Sequence, residues 1–467
     1  MAMQLRYRAH PLVLRMAGGL LTTAILAGCA VIPEPRQLDV PLPDRFNAPD
    51  GSSATMAASA ASAVGPWWQR FDDPQLADLV ATGIAQSPTI EAARAELNSV
   101  EQQARAAGLR FEGSATASVS ENSQGSGSRS VGLGLDLLPF GRRAADLALA
   151  EARLNRQRQA FLDTRRMFVA DVTSEYVQLR YLQALLGLRF TELGLARNSL
   201  DAAVRQAELG AATELDVLDA RAFVADVQAE IPATRSSIVA SQRRLATLLG
   251  LPPDAIPPAL ERHGNQPVPT AISDIGVPAD LVRHRPDVRA AEHAYEAALA
   301  ELGIARANRY PSLSLDGVIR AAVPGDTVRN ASVGLSLPVF SQPALAAEED
   351  AAGWRVHQAY LGWQNAVIAA VHEVERGLAA IAYASERLSA AQRAERLQQR
   401  RASILREAQS TSANFTITDV IDADRTLARS RERTVETVRV LASEYIGLWM
   451  ALGAGQQDMS ALPDRPI

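Results

Sequence analysis

Residues 142–209 run for 68 positions without a proline, and glycine interrupts them only at Gly187 and Gly194. Apolar side chains recur there every seven residues, at Leu147, Leu154, Phe161 and Phe168, then at Val172, Leu179, Leu186, Leu193 and Leu200. A seven-residue recurrence sustained over so many turns predicts a helix that supercoils left-handedly against its neighbours. At the helical rise such a segment is about 100 Å long, too long to be buried inside a compact globule. Bundles and coiled assemblies are the places for it. A second stretch over about 344–410 repeats the pattern with Val367, Val374, Ile381 and Leu388. The two end at turns, Leu209-Gly210-Ala211-Ala212-Thr213 and residues 410–416, and a second helix is expected to return from each.

The whole chain is written twice. Ser87-Pro88-Thr89-Ile90-Glu91-Ala92-Ala93 aligns with Arg285-Pro286-Asp287-Val288-Arg289-Ala290-Ala291 at an offset of 198. Arg110-Phe111 aligns with Arg309-Tyr310, and Gly134-Leu135 with Gly334-Leu335, at offsets of 199 and 200. Asp216-Val217 aligns with Asp419-Val420, and Leu249-Gly250 with Leu452-Gly453, both at 203. So small a drift in one order points to duplication. The expected organisation is a signal segment at 1–28, an extended leader at 29–66, a first repeat at 67–262, a linker at 263–274, a second repeat at 275–455 and a tail at 456–467.

Each repeat opens with a helix, about 88–108 and 286–307. Pro88 and Pro286 suit the first helical position, and Ser87 is the expected N-cap of the first. Two period-two segments follow in each repeat, at about 113–120 and 130–137, then at about 312–321 and 331–338. Ala115, Ala117 and Val119 alternate with Ser114, Thr116 and Ser118; Val131, Leu133 and Leu135 alternate with Gly132, Gly134 and Asp136. That alternation is the strand signal. The polar, glycine-bearing segments 122–130 and 322–330 are expected to be hairpin loops.

Four strands, apolar on one face and small-polar on the other, are too few for a soluble sandwich. The pattern matches lipid-out, lumen-in strands of an outer-membrane barrel. In lipid the sheet must close, because an open edge leaves backbone groups unsatisfied. Two chains would supply eight strands and a filled interior, three would supply twelve and a pore. The small inward residues favour the trimer. The fold class expected is mainly α with a small β part: a long helical tunnel plus four membrane strands per chain. A monomeric helical rod, a structural lipoprotein with no pore, is the competing architecture.

The amino terminus agrees with export. Arg6, Arg8 and Arg15 precede the short apolar run AGGLLTTAILAG at 17–28, a secretory signal rather than a membrane span. Leu26-Ala27-Gly28-Cys29 is a lipobox-like cleavage site, and Cys29, the single cysteine, is the expected lipidation site. One cysteine rules out an intrachain disulfide. A hydrophobic fraction of 47% excludes a disordered chain, and no apolar run reaches the roughly 18–20 residues of a spanning helix. The net charge of −5 gives no basic excess for nucleic acid, although all 47 cations are arginine. The six histidines show no ligand spacing; His372-Glu373 lacks the second histidine of the zinc pattern, since Arg376 holds that place. No cofactor, metal or catalytic constellation is expected.

Several runs carry a family resemblance: Trp67-Trp68-Gln69-Arg70-Phe71-Asp72-Asp73-Pro74, Leu215-Asp216-Val217-Leu218-Asp219-Ala220, and above all Asp280-Leu281-Val282-Arg283-His284-Arg285-Pro286-Asp287. With Arg309-Tyr310-Pro311-Ser312-Leu313 and Leu337-Pro338-Val339-Phe340 they span nearly the whole mature chain. The chain resembles the outer-membrane factor family of tripartite efflux systems, the TolC and OprM type, and within it the NodT-like lipoprotein branch. The resemblance implies a homotrimer in the outer membrane with a 12-stranded barrel and a periplasmic helical tunnel. It also implies two partners, a periplasmic adaptor (membrane fusion protein) and an inner-membrane pump of the RND type, with small molecules such as drugs as cargo. An outer-membrane channel for type I protein secretion is the alternative use of the same architecture.

Asp216 and Asp219, and Asp419 and Asp422, are spaced i,i+3 and so share one helix face just past each tip turn. The resemblance places Asp419 and Asp422 at the tunnel constriction, and Asp216 and Asp219 are their duplicates. Three chains would gather these carboxylates into a cation-favouring ring. Two departures from the family pattern stand out. Ser341-Gln342-Pro343 replaces a usual glycine pair, which leaves the turn into the second long helix open. The second tip lacks the glycine of the first.

Overall fold

The structure is a computed structural model, and it describes residues 32–37, 66–109, 113–121, 127–137, 141–252, 255–262, 264–269, 285–323, 325–411 and 416–454. Cys29 and the second tip turn at 412–415 lie outside the described residues. The elements are α1 (Pro74–Gln86), α2 (Pro88–Leu109), β1 (Gly113–Glu121), β2 (Gly127–Leu137), α3 (Arg142–Glu208), α4 (Glu214–Leu248) and the single turn α5 (Pro258–Glu261). The second copy supplies α6 (Pro286–Ala307), β3 (Ser312–Val323), β4 (Thr327–Ser336), α7 (Gln342–Thr411) and α8 (Ile417–Ala451). The chain is thus mainly helical with a small sheet, in two repeats of the same order.

The expected long helices form as single elements of 67 and 70 residues. Their seven-residue apolar positions are largely inside: Phe161, Phe168, Val172, Leu179, Leu186 and Leu193 are buried, as are Val367 and Val374. Leu154, Leu200, Ile381 and Leu388 are half-buried, and Leu147 is 39% exposed. Ser341 resolves the open question at the start of α7. Its carbonyl accepts from Leu345 N at 2.9 Å, as Gly141 accepts from Ala145 N at 3.0 Å in the first copy. Pro343 falls in the first turn, where its missing N–H leaves nothing unsatisfied. Gly141 holds φ 82°, a conformation the second copy does without. Ser87 departs from expectation. Its carbonyl accepts from Glu91 N at 3.0 Å, but its buried hydroxyl makes no capping bond.

Two compact units divide the chain, and each draws on both copies. One comprises Met1–Val40, Glu96–Gln159 and Arg289–Ala366; the other comprises Pro41–Ala95, Ala160–Val288 and Val367–Ile467. The first holds one antiparallel sheet in the order β1-β2-β3-β4. Ala117 pairs with Val131 and Val131 with Ile319, while Leu135 pairs with Leu315 and Leu315 with Val333. Partners across a ladder share a face, so these side chains form one continuous apolar surface. Ser118, Ser130 and Arg320, with Gly134, Asp316 and Ser332, line the other face. Cross-strand hydroxyls meet there, Ser118 with Ser130 at 2.7 Å and Ser120 with Ser128 at 3.0 Å. Gly132 leaves room for a further hydroxyl on this face: a Cβ would stand 2.7 Å from Thr116 Oγ1. The strands run further than expected, so the connections shrink from 122–130 and 322–330 to 122–126 and 324–326. Serine, glycine and arginine read as loop by composition, yet their backbones continue the ladder against Val119 and Ile319.

The second unit packs the helical hairpins on shared apolar side chains. Leu193, Ala196 and Ala203 of α3 join Val217, Ala220 and Phe223 of α4 and Ile417, Val420 and Ile421 of α8 in one cluster. The duplicated Leu-Gly pairs end α4 and α8 alike. Gly250 and Gly453 both hold φ +70°, and the amides of Leu251 and Ala454 reach back to Ala246 O and Trp449 O at 2.8 and 3.2 Å. This is the left-handed glycine cap that satisfies the last carbonyls. Each cap also touches the start of its own copy's first helix, for a Cβ on Gly250 would stand 2.6 Å from Pro88 and one on Gly453 2.8 Å from Arg285. Arg285 is buried; it donates to Ala451 O at 2.6 Å, to both Asp287 oxygens and to Glu373 Oε2 at 2.8 Å. The dense Arg285-Pro286-Asp287 run is therefore a packing and capping device.

Candidate functional site

The two tip turns deliver the chain to the same local chemistry. Thr213 and Thr416 are extended N-caps of α4 and α8, and an aspartate stands three residues on in each. In the first copy Asp216 Oδ2 accepts from Thr213 N at 2.8 Å and from its hydroxyl at 2.7 Å, while Asp216 N donates to Thr213 Oγ1 at 3.2 Å. In the second copy Asp419 Oδ2 accepts from Thr416 N and Oγ1, both at 2.8 Å, and Asp419 N donates back at 3.2 Å. These are reciprocal capping boxes, and a carboxylate at that position also meets the positive end of the helix.

One further bond joins the copies. Thr418 Oγ1 donates to Asp216 Oδ1 at 2.7 Å, so the starts of α4 and α8 meet at a single tip. The Thr418 hydroxyl, followed by the Thr213 amide and hydroxyl, holds the Asp216 carboxyl below its ordinary 3.8. The Thr416 amide and hydroxyl lower Asp419 in the same way. Both carboxylates therefore keep their charge to a lower pH than a free aspartate does, because donors to the anion stabilise it.

The other two predicted carboxylates are placed differently. Asp422 is 65% exposed, with Arg425 Nη1 3.9 Å away, and Asp219 is half-buried one turn into α4. The four aspartates thus divide into two that build the tip and two displayed beside it. Three participants were not legible in the sequence. Thr418 supplies the bridge between copies. Arg425 reaches across to lie 4.9 Å over the Phe223 ring. Arg406 of α7 donates to Asp424, which is buried. Asp424 sits two residues past Asp422, so helical phase turns it inward.

The sequence model of the family described as outer membrane efflux protein matches residues 79–251 and 277–454. The chain belongs to the outer membrane efflux protein family. Its place is the outer membrane, and the two matched segments fall one in each copy. The nodulation protein T of Rhizobium leguminosarum bv. trifolii is 28% identical over 451 residues, covering 92% of this chain and 95% of that protein. The probable efflux pump outer membrane protein TtgC of Pseudomonas putida is 28% identical over 471 residues, covering 93% and 94%. Among solved structures, the open state of the Neisseria gonorrhoeae MtrE outer membrane channel superposes with a TM-score of 0.78 at 22% identity, covering 92% of this chain and 99% of that one. At that identity the likeness shows the fold. In this member of the outer membrane efflux protein family, the polar clusters at the tip and around Arg285 cap, bridge or pack helices.

Proposed function

We propose that three copies of this chain form the outer-membrane conduit of a tripartite efflux system. The carrying observation is the sheet. Its order leaves β1 and β4 as edges, and one of its faces is apolar and exposed, with Val119 at 76%, Leu133 at 66% and Val333 at 71%. In hydrocarbon such edges must pair, which only other copies can supply. Three chains of four strands close a twelve-stranded barrel wide enough to conduct, with Asp136, Asp316, Arg320 and the serines turned inward. Exposed Trp354, Tyr383 and Leu397 on α7 give the helices apolar surface for the same association.

The conduit is passive and does no catalysis. A periplasmic adaptor and an inner-membrane pump hand small molecules to it, and the energy is theirs. Cys29 carries the lipid anchor. The tip carboxylates narrow the periplasmic end: Asp216 and Asp419, kept ionised by their caps, fix the ring, and Asp219 and Asp422 present charge to passing ions. Opening is a shift between two packings of the tip helices. The test is the mass of the full-length protein in detergent, followed by conductance in planar bilayers. A trimer whose cation preference falls on Asp422→Ala supports the reading; a monomer, or a trimer that does not conduct, defeats it.

A further inference from the structure

Among the described residues, the apolar face of the sheet carries two cations, both near the same strand ends and two residues apart in register. Arg129 is the third residue of β2 and Arg329 the third of β4. Register sets Arg129 beside Val119 and Ala321, and Arg329 beside Ile319, so both share the face of Val131, Leu133, Leu315 and Val333. They are separated by 200 positions, the offset that relates Gly134-Leu135 to Gly334-Leu335, so they are the same residue in the two copies. Around them the copies have diverged: Ser130-Val131-Gly132 stands against Asn330-Ala331-Ser332. Both side chains are exposed, and among the described residues neither guanidinium has a hydrogen-bond or ion-pair partner. Both lie at the strand ends joined by 122–126 and 324–326, whereas α2, α3, α6 and α7 adjoin the opposite ends.

We propose that Arg129 and Arg329 form a girdle that binds the phosphates of the outer-leaflet glycolipid, lipid A. The inference rests on the channel reading above, which puts the helices on the periplasmic side and these strand ends in the outer leaflet. A guanidinium on a lipid-facing strand is tolerated near the interface, where its stem lies along hydrocarbon and its head reaches the headgroups. Its planar fork matches a phosphate bidentately, and every cation of this chain is of that kind. In a closed trimer β2 and β4 alternate with β1 and β3, so every second strand carries one arginine. Within a chain the two arginines stand about 12 Å apart, two strand spacings across and two residues along the strands. A disaccharide phosphorylated at both ends can bridge such a pair, and a single-phosphate lipid cannot. Glu121, one rung nearer the connection on β1, confines the favourable site to the phosphate level.

The test uses the full-length trimer, delipidated in detergent and titrated with bisphosphorylated lipid A, monophosphorylated lipid A or phosphatidylglycerol, reading the thermal midpoint. Wild type should be stabilised most by the bisphosphorylated form. R129Q/R329Q should weaken that binding about tenfold or more, since each loss removes a charge-assisted pair. Arg320→Gln is the control: it removes the same charge on β3 beside Ser130, on the opposite face, and should leave lipid A binding intact. Unchanged binding in R129Q/R329Q trimers that still conduct would overturn this inference alone. Equal stabilisation by phosphatidylglycerol would overturn the choice of lipid. A protein that neither trimerises nor conducts would overturn both this inference and the channel reading.

Discussion

Replacing Thr418 by valine should loosen the tip while leaving both helix starts intact. Valine keeps the β-branched shape and removes only the hydroxyl. That hydroxyl donates to Asp216 Oδ1 at 2.7 Å, whereas the first capping box uses Asp216 Oδ2 and the second uses Asp419. A hydrogen bond to a charged acceptor contributes about 1.5–3 kcal/mol, and solvent at this exposed tip reduces that to about 1 kcal/mol. About 1 kcal/mol moves an equilibrium about fivefold in one chain. Three tips that open together sum to about 3 kcal/mol, on the order of a hundredfold in the open population. Single-channel recording reads this as a rise in open probability for T418V over wild type. Thr426→Val is the matched control, because Thr426 Oγ1 donates to Asp422 O within its own helix at 2.8 Å and bridges nothing. Acid should imitate the substitution. Asp216 has a depressed folded pKa, so its contribution is present above 3.8 and is lost as pH falls through the lower, folded value. T418V removes the largest cause of that depression, so the variant should loosen at a higher pH than wild type. Equal open probability in T418V and wild type, at neutral and at acid pH, would refute the latch.

The glycines at φ +70° give a prediction with its own control. Gly210→Ala meets nothing within 4 Å and should lose only the left-handed preference, about 1 kcal/mol, whereas Gly250→Ala adds a clash at 2.6 Å with Pro88 and should lower the thermal midpoint further. Equal shifts in the two variants would show that Pro88 yields freely. Arg285→Met leaves Ala451 O, Asp287 and Glu373 without their shared donor; loss of about 2–4 kcal/mol should appear as reduced trimer recovery after heating, and full recovery would mean the site is replaceable.

Periodicity made the long helices legible, because Phe161, Phe168, Leu179 and Leu186 each face a neighbour and a seven-residue recurrence has no other economical explanation. Self-comparison made the duplication of Leu249-Gly250 and Leu452-Gly453 legible, and the structure showed both to be left-handed glycine caps. The strand ends at Ser128, Arg129 and Thr327 carry no apolar alternation, and only their ladder partners make them strand. At Ser87 residue type suits a cap, but it does not show whether the hydroxyl is turned toward the helix or buried away from it, as it is here.

The four aspartates mark the boundary most clearly. Their i,i+3 spacing and their duplication are sequence facts, whereas the structure showed the threonines three residues before Asp216 and Asp419 to be their caps. The pairing of Thr418 with Asp216, and of Arg425 with Phe223, joins residues about two hundred positions apart. Local sequence determines what a helix start can do, because its donors and acceptors lie within one turn. Which other helix start it meets is decided by the packing of α3, α4 and α8 on Leu193, Ala220 and Ile421, since apolar burial is non-directional and fixes a partner only when whole faces interlock.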